Sequence, residues 1–369
     1  MAATDTLTLF SPIKIGNIQL QHRIALAPLS RFRAHEHHVH TGLGVQYYEQ
    51  RASIPGGLLI SEGTFIKPQA GGYPHVPGIW NEEQIAAWRK IADAVHAKGC
   101  FIFMQLWSLG RSAIPKVLQR EGPYDVIGAS AIPIRDKQAT PRPLTVDEIK
   151  EYVQWYAQAA KNAVRAGFDG VEVHSASGYL PDQFLQTTSN QRTDEYGGSV
   201  ENRIRFVVEI IDAIAAIIGP ERTALRLSPW STFQSMRMAD PIPTFSGLVR
   251  HFVDHQPRLA YISLVERRVD GAEDIGDDPD ENNDFIRDIW SPRPLILAGG
   301  FTYDLALQTT DRDKNVLIAM GRYFVSNPDL PKRWKRGVAL APYDQQGFRT
   351  RGVVPEGYID YPMSPDIEL

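Results

Sequence analysis

The chain is poor in the features on which many protein classes are built. It has one cysteine, Cys100, in 369 residues, so an internal disulfide or a thiolate metal cage is excluded. No window approaches the roughly 20 consecutive apolar residues that span a bilayer. The start, from Met1 to Phe10, lacks a basic stretch followed by a long apolar run, so no secretory signal is expected. The last residues, Asp366-Ile-Glu-Leu369, match neither an endoplasmic-reticulum retention signal nor a peroxisomal address. Single-sign charge is also missing. Lys and Arg total 39 against 43 Asp and Glu, a net charge of −4. With the charges mixed along the chain, no nucleic-acid partner is expected. No G-x-G-x-x-G follows an apolar run, which argues against a Rossmann dinucleotide site. Internal repeats and low-complexity tracts are absent. These absences lead us to expect a soluble, cytoplasmic protein.

What is present points to an α/β barrel. Hydrophobic residues make up 43% of the chain, enough for a large core, and barrels of this length form one domain. Eight short apolar runs, at 24–29, 57–61, 101–106, 170–174, 223–228, 260–264, 294–298 and 316–320, show little polar alternation. Strands buried on both faces of a parallel sheet read this way. Amphipathic helices lie between them. One opens at Asn81. Another opens at a capping box, Thr145 to Glu148, in which hydroxyl and carboxylate satisfy free backbone N–H groups reciprocally. A third opens at Ser199 and stops at Gly219-Pro220. Residues 12–23, with a turn at Gly16-Asn17, are expected to form a hairpin plugging the barrel bottom. The expected fold is thus a single (β/α)8 TIM-barrel domain over residues 1–369. Two long loops follow strand carboxyl ends, at 108–142 and 270–283, where barrel enzymes place lids. The first is the better lid candidate.

Barrels often bind phosphate on the loops after strands seven and eight. Here strand seven ends in Ala298-Gly299-Gly300 and strand eight in Met320-Gly321-Arg322. Glycine lets backbone N–H groups approach an anion, and the planar guanidinium of Arg322 suits phosphate. A phosphorylated cofactor held by a barrel is the reading these residues support.

Longer motifs then carry a family resemblance. Val171-Glu-Val-His-Ser-Ala-Ser-Gly-Tyr-Leu180 with Asp182-Gln-Phe-Leu185 resembles the active-site strand of the old yellow enzyme family. Asn190-Gln-Arg-Thr-Asp-Glu-Tyr-Gly-Gly-Ser199 and Glu201-Asn-Arg203 resemble its signature. Leu9-Phe-Ser-Pro12, Ala27-Pro-Leu-Ser30, Ser61-Glu-Gly63, Gln105-Leu-Trp107, Leu225-Arg-Leu-Ser-Pro229 and Gly357-Tyr-Ile-Asp-Tyr-Pro362 extend the similarity over nearly the whole chain. The resemblance implies an FMN-containing reductase of activated C=C bonds, with NADPH as co-substrate and an enone or enal as acceptor. It implies flavin-ring contacts from Pro28, Ser30, Gly63, Gln105 and Arg226, and phosphate contacts from Gly299, Gly300, Gly321 and Arg322. His174 and Ser177 would hold the substrate carbonyl, Tyr179 would protonate the α-carbon, and Trp107 would line the substrate pocket.

The chain departs from the family pattern in places. Ser177 stands where asparagine or a second histidine is usual. Ser30 replaces threonine, Gly300 an asparagine, and Arg351 falls near a pocket tyrosine, suggesting a polar or anionic substrate. Together these changes suggest a specialised, biosynthetic member. Two alternatives stay open: a flavin-dependent isomerase or desaturase on the same scaffold, and a flavin- or ligand-binding barrel with little catalysis. His35, His37, His38 and His40 cluster after strand one but do not fit H-E-x-x-H. A solvated loop and no metal are expected there, and Cys100 reads as a buried, inert thiol.

Overall fold

The computed structural model describes residues 7–135, 139–271 and 273–365. The amino-terminal segment and the final four residues, on which the targeting expectations rest, lie outside the described residues.

Eight parallel strands close on themselves. They are Ile24–Leu26, Leu58–Ile60, Phe101–Trp107, Gly170–Ser175, Thr223–Leu227, Tyr261–Val265, Leu295–Ala298 and Val316–Met320, here the first to eighth barrel strands. Each pairs in parallel with the next, and the eighth pairs with the first. All eight expected runs are therefore strands, with ends shifted by a few residues at most. Buried helices explain why both strand faces are apolar. The helix Val146–Arg165 buries Ile149, Tyr152, Val153, Tyr156 and Ala160, and Val200–Ile218 buries Ile204, Val207, Ile211 and Ile214. Capping boxes are in place at Asn81 with Gln84 and at Thr145 with Glu148. Among the described residues, no helix is long and apolar enough to cross a membrane.

The bottom of the barrel is sealed. Strands Ile13–Ile15 and Ile18–Leu20 form the expected antiparallel hairpin. Gly16 turns it at φ +49°, and a Cβ there would lie 1.9 Å from the Glu221 carbonyl oxygen. Ile15 and Leu20 join an interior cluster with Leu58, Ile60, Phe103, Tyr261, Ile296 and Leu317. Above this apolar layer, inward positions become polar. Gln105 sits in register with Glu172, and Arg226 with His174 and Ser263. A polar layer at the carboxyl ends marks that mouth as the place for chemistry.

The loops behave differently from expectation. Segment 108–142 folds into a short turn at Gly110–Ser112, a helix at Pro115–Glu121 and a two-residue pairing. None of its described residues is on the wall of the central cavity. The second loop does face the cavity, through a small hairpin pairing Val269–Asp270 with Glu273–Asp274. A carboxyl-terminal segment supplies a further wall. Two fully buried arginines hold it. Arg31 donates to the Gly357 carbonyl at 2.6 Å, and Arg33 to those of Glu356 at 2.9 Å and Val354 at 3.1 Å.

The histidine cluster also differs. His38 and His40 are buried, and acidic partners reach them from distant segments: Glu121 at 3.2 Å from His38 and Glu62 at 3.4 Å from His40. They were expected in a solvated loop because those partners lie far away in sequence.

Candidate active site

A cavity of about 570 Å³ opens at the carboxyl ends of the barrel strands, within the ordinary range for ligand sites. One end is built from backbone. Gly299 and Gly300 have φ of +112° and +63°, a region that other residues rarely enter. A Cβ on Gly300 would also come within 2.9 Å of the Arg268 Cβ. Arg268 Nε donates to the Gly299 carbonyl at 3.1 Å and fixes this turn. Gly321 and Arg322 complete the end. The Arg322 guanidinium is paired with Asp274 and donates to the Tyr343 hydroxyl at 2.8 Å. A phosphate placed there would compete with a carboxylate for the same cation.

The middle is lined by Pro28 and Ser30, from the segment after the first strand, and by Gln105 and Arg226. The Gln105 amide donates to Glu172 at 2.8 Å, and Arg226 donates to Ser263 at 3.2 Å. Burial pushes the Glu172 carboxyl upward, and Arg226 and Gln105 partly offset this. Burial likewise lowers Arg226 from its ordinary value, with Glu172 opposing. A half-buried cation with no ion-pair contact among the described residues is suited to a ring that accumulates negative charge. This donor set and the glycine cradle fit a flavin mononucleotide.

The third region carries the reactive groups. His174 is the penultimate residue of the fourth strand. Its ring lies near-parallel to Trp107 at 6.1 Å and edge-on to Tyr179 at 4.8 Å between centroids. Tyr179 also meets Trp107 edge-on at 4.8 Å. Burial, then Arg226, lowers His174 well below its ordinary value, so the imidazole is neutral near pH 7. Its Nδ1 is buried with no partner among the described residues. Burial, then Tyr73, raises the Tyr179 phenol well above its ordinary value, while the Gln234 side chain beside it pulls the other way. Ser177 lies in a sharp elbow at φ +57°, with its N–H donating to Ser228 Oγ at 2.7 Å. The next N–H, of Gly178, goes to Asp182 at 2.8 Å.

One cavity therefore gathers Pro28, Ser30, Gln105, Trp107, His174, Ser177, Tyr179, Arg226, Gly299, Gly300, Gly321 and Arg322. Two expected residues are not on its wall. Gly63 lies behind Trp107, where a Cβ would come 2.5 Å from the indole ring. Its small size lets that ring sit close to the backbone. Arg351 is exposed and lies over the Phe32 ring at 5.1 Å, outside the lining. Sequence reasoning missed Phe32, Tyr73, Phe233, Phe301, Tyr343 and Phe348, which supply much of the apolar wall. Only Tyr73 had a usable signal, because it follows Gly71-Gly72 on a loop after a strand carboxyl end. Among the described residues, no group of three or more His, Cys, Asp or Glu could hold a metal ion.

Residues 8–341 match the family described as NADH:flavin oxidoreductase / NADH oxidase. The chain is 47% identical over 363 residues to "Chanoclavine-I aldehyde reductase fgaOx3" of Penicillium roqueforti (strain FM164), covering 98% of this chain and 97% of that protein. It is 44% identical over 374 residues to "Probable inactive reductase easA" of Epichloe festucae var. lolii, covering 98% and 97%. Among solved structures, Old Yellow Enzyme from Pichia sp. AKU4542 shares 39% identity with a TM-score of 0.91, covering 97% of this chain and 94% of that one.

Proposed function

Since the chain belongs to the NADH:flavin oxidoreductase / NADH oxidase family, as an FMN-dependent, NAD(P)H-oxidising ene-reductase of the old yellow enzyme type, we propose that it saturates the C=C bond of an α,β-unsaturated aldehyde or ketone, with Tyr179 as proton donor. The carrying observation is the edge-on meeting of Tyr179 with both His174 and Trp107 on the wall of one cavity.

FMN, when bound, would supply the two-electron chemistry that links NADPH to the C=C bond of the acceptor. Pro28, Ser30, Gln105 and Arg226 would border its ring, and Gly299, Gly300, Gly321 and Arg322 its phosphate. Gly63 contributes from behind by admitting Trp107. His174, held neutral, and Ser177 donate hydrogen bonds to the carbonyl oxygen, where charge develops. Preorganised donors there are worth a few kcal/mol, about 3 per donor in measured cases. Tyr179 gives its proton to the α-carbon and recovers one from solvent. A phenol raised by burial stays protonated through neutral pH, so the proton is available throughout.

The relative named as an aldehyde reductase supports an aldehyde as the acceptor and a specialised, biosynthetic role. Arg351 acts at the rim, reaching only a polar or anionic substrate that extends past Phe32. A cytoplasmic enzyme, monomeric or homodimeric, completes the reading.

The test is Tyr179→Phe. Flavin reduction by NADPH is expected within about twofold of wild type, while enone-driven reoxidation falls by about a hundredfold or more. Unchanged enone turnover overturns the proton-donor role. One NADPH consumed per product is expected; turnover on catalytic reductant alone points to an isomerase instead. Bound FMN that no unsaturated carbonyl reoxidises points to a binding barrel.

A further inference from the structure

The loop after the fifth strand is strained and tied down in a way that the mechanism above does not use. Three non-glycine residues in it, Gln234, Ser235 and Arg237, have φ of +59°, +56° and +71°. Such residues are uncommon at positive φ and persist only where the surroundings over-determine them. Here Arg111, 3% exposed, donates to the carbonyls of Gln234 at 3.0 Å, Ser235 at 3.4 Å and Ile132 at 3.2 Å. On its other flank, Asp270 accepts from Ser231 Oγ at 2.6 Å and from the Phe233 N–H at 2.9 Å.

The loop presses on the elbow that carries Tyr179. A Cβ on Gly178 would lie 2.9 Å from the Gln234 Cβ and 2.7 Å from the Met236 Cγ. The Gln234 amide is oriented from both ends. Its Nε2 donates to the Ser177 carbonyl at 2.9 Å, and its Oε1 accepts from the Ser112 hydroxyl. With Oε1 occupied and one N–H used, one amide N–H of Gln234 is left over. Gln234 acts on Tyr179 in the direction of a donor to the phenol oxygen, favouring the ionised form.

We infer that Gln234 is the positioning residue for Tyr179: it clamps the Ser177–Gly178 elbow through the Ser177 carbonyl and turns an amide N–H toward the phenol oxygen, steadying the phenolate left after the proton goes to the α-carbon. The strained backbone is what holds that amide in place. This inference rests on the ene-reductase reading above and adds a residue to it.

A structural clamp alone and a positioning residue make different predictions. The holoenzyme is prepared as wild type, Gln234→Leu, Gln234→Glu, Tyr179→Phe and both double variants, with flavin absorption confirming the loaded fold. Three rates are measured: flavin reduction by NADPH, reoxidation by 2-cyclohexenone, and reoxidation by a quinone, whose reduction needs no protonation at carbon. For both Gln234 variants, enone reoxidation is expected to fall by about tenfold, the scale of one hydrogen bond lost at an ionised group. The other two rates stay within about twofold. The alkaline limb of the enone profile moves to higher pH, because the phenolate has lost a donor. In the Tyr179→Phe background, neither Gln234 change costs anything further. Equal losses with enone and quinone, or losses that add to that of Tyr179→Phe, overturn the inference, as does an unchanged enone rate. A wild type that reduces the quinone but no enone overturns the ene-reductase reading, and this inference with it.

Discussion

At the end of the cavity formed by Gly299, Gly300 and Gly321, the groups facing inward are mostly backbone. At the end formed by His174, Ser177 and Tyr179, they are side chains, and the backbone elbow between them is held by other side chains. The first arrangement needs little support beyond two adjacent strand ends, one orienting contact from Arg268 and the absence of a Cβ. The second draws on the loops after the third, fourth and fifth strands, with Ser228, Asp182 and Gln234 holding the elbow from outside the cavity. A backbone-lined cavity end can thus be written into a few consecutive residues. Proton placement requires convergence of residues that are distant in sequence.

Three substitutions separate the two ends, beyond the Tyr179 and Gln234 tests. The largest effect is expected for Arg322→Met. Losing charge-assisted hydrogen bonds of about 1.5–3 kcal/mol lowers FMN affinity of the apoprotein by about tenfold to a hundredfold. Riboflavin, which has no phosphate, binds as before. Titration by flavin fluorescence reads both, and equal losses for the two ligands assign Arg322 elsewhere. Next comes Ser177→Asn at the other end. A longer donor reaching the oxyanion position is worth about 1 kcal/mol, so phenol affinity rises several-fold by absorption titration while FMN affinity holds. Equal phenol affinities mean that serine already reaches the ligand. The smallest effect belongs to Asp274→Asn. Its carboxylate holds Arg322 but is 56% exposed, so the pair is worth little in water. FMN affinity is expected to rise about twofold to threefold at low ionic strength and to return to the wild-type value in high salt.

How much of this was legible in the sequence follows the same division. The eight strands were readable because burial on both faces removes polar alternation. The glycines after the seventh and eighth strands stood out because they fall where barrels often bind phosphate. His174, Ser177 and Tyr179 came from one contiguous motif. Arg351 falls off the cavity wall, in the irregular stretch just past the helix Gln345–Arg349, where a loose register placed it on the wall. The lid expectation for 108–142 rested on length and composition, which do not say which way a loop folds. Buried charges were the hardest to read. Arg31 and Arg33 reach carbonyls, and His38 and His40 face carboxylates, supplied by other segments of the chain, and nothing local announces such partners. Gln234 was hidden for a related reason: its importance lies in a backbone conformation that glutamine rarely adopts.

The two buried arginines near the start of the chain bear on how the protein is made. Arg31 and Arg33 leave the ribosome early, yet the carbonyls they need, at Val354, Glu356 and Gly357, are synthesised more than three hundred residues later. Until then, two guanidiniums have no place in an apolar interior, since an unpaired buried charge costs several kcal/mol. A nascent chain can close all eight strands and still lack the wall that carries Tyr343 and Phe348. The cavity is thus finished last, when its first and last segments meet.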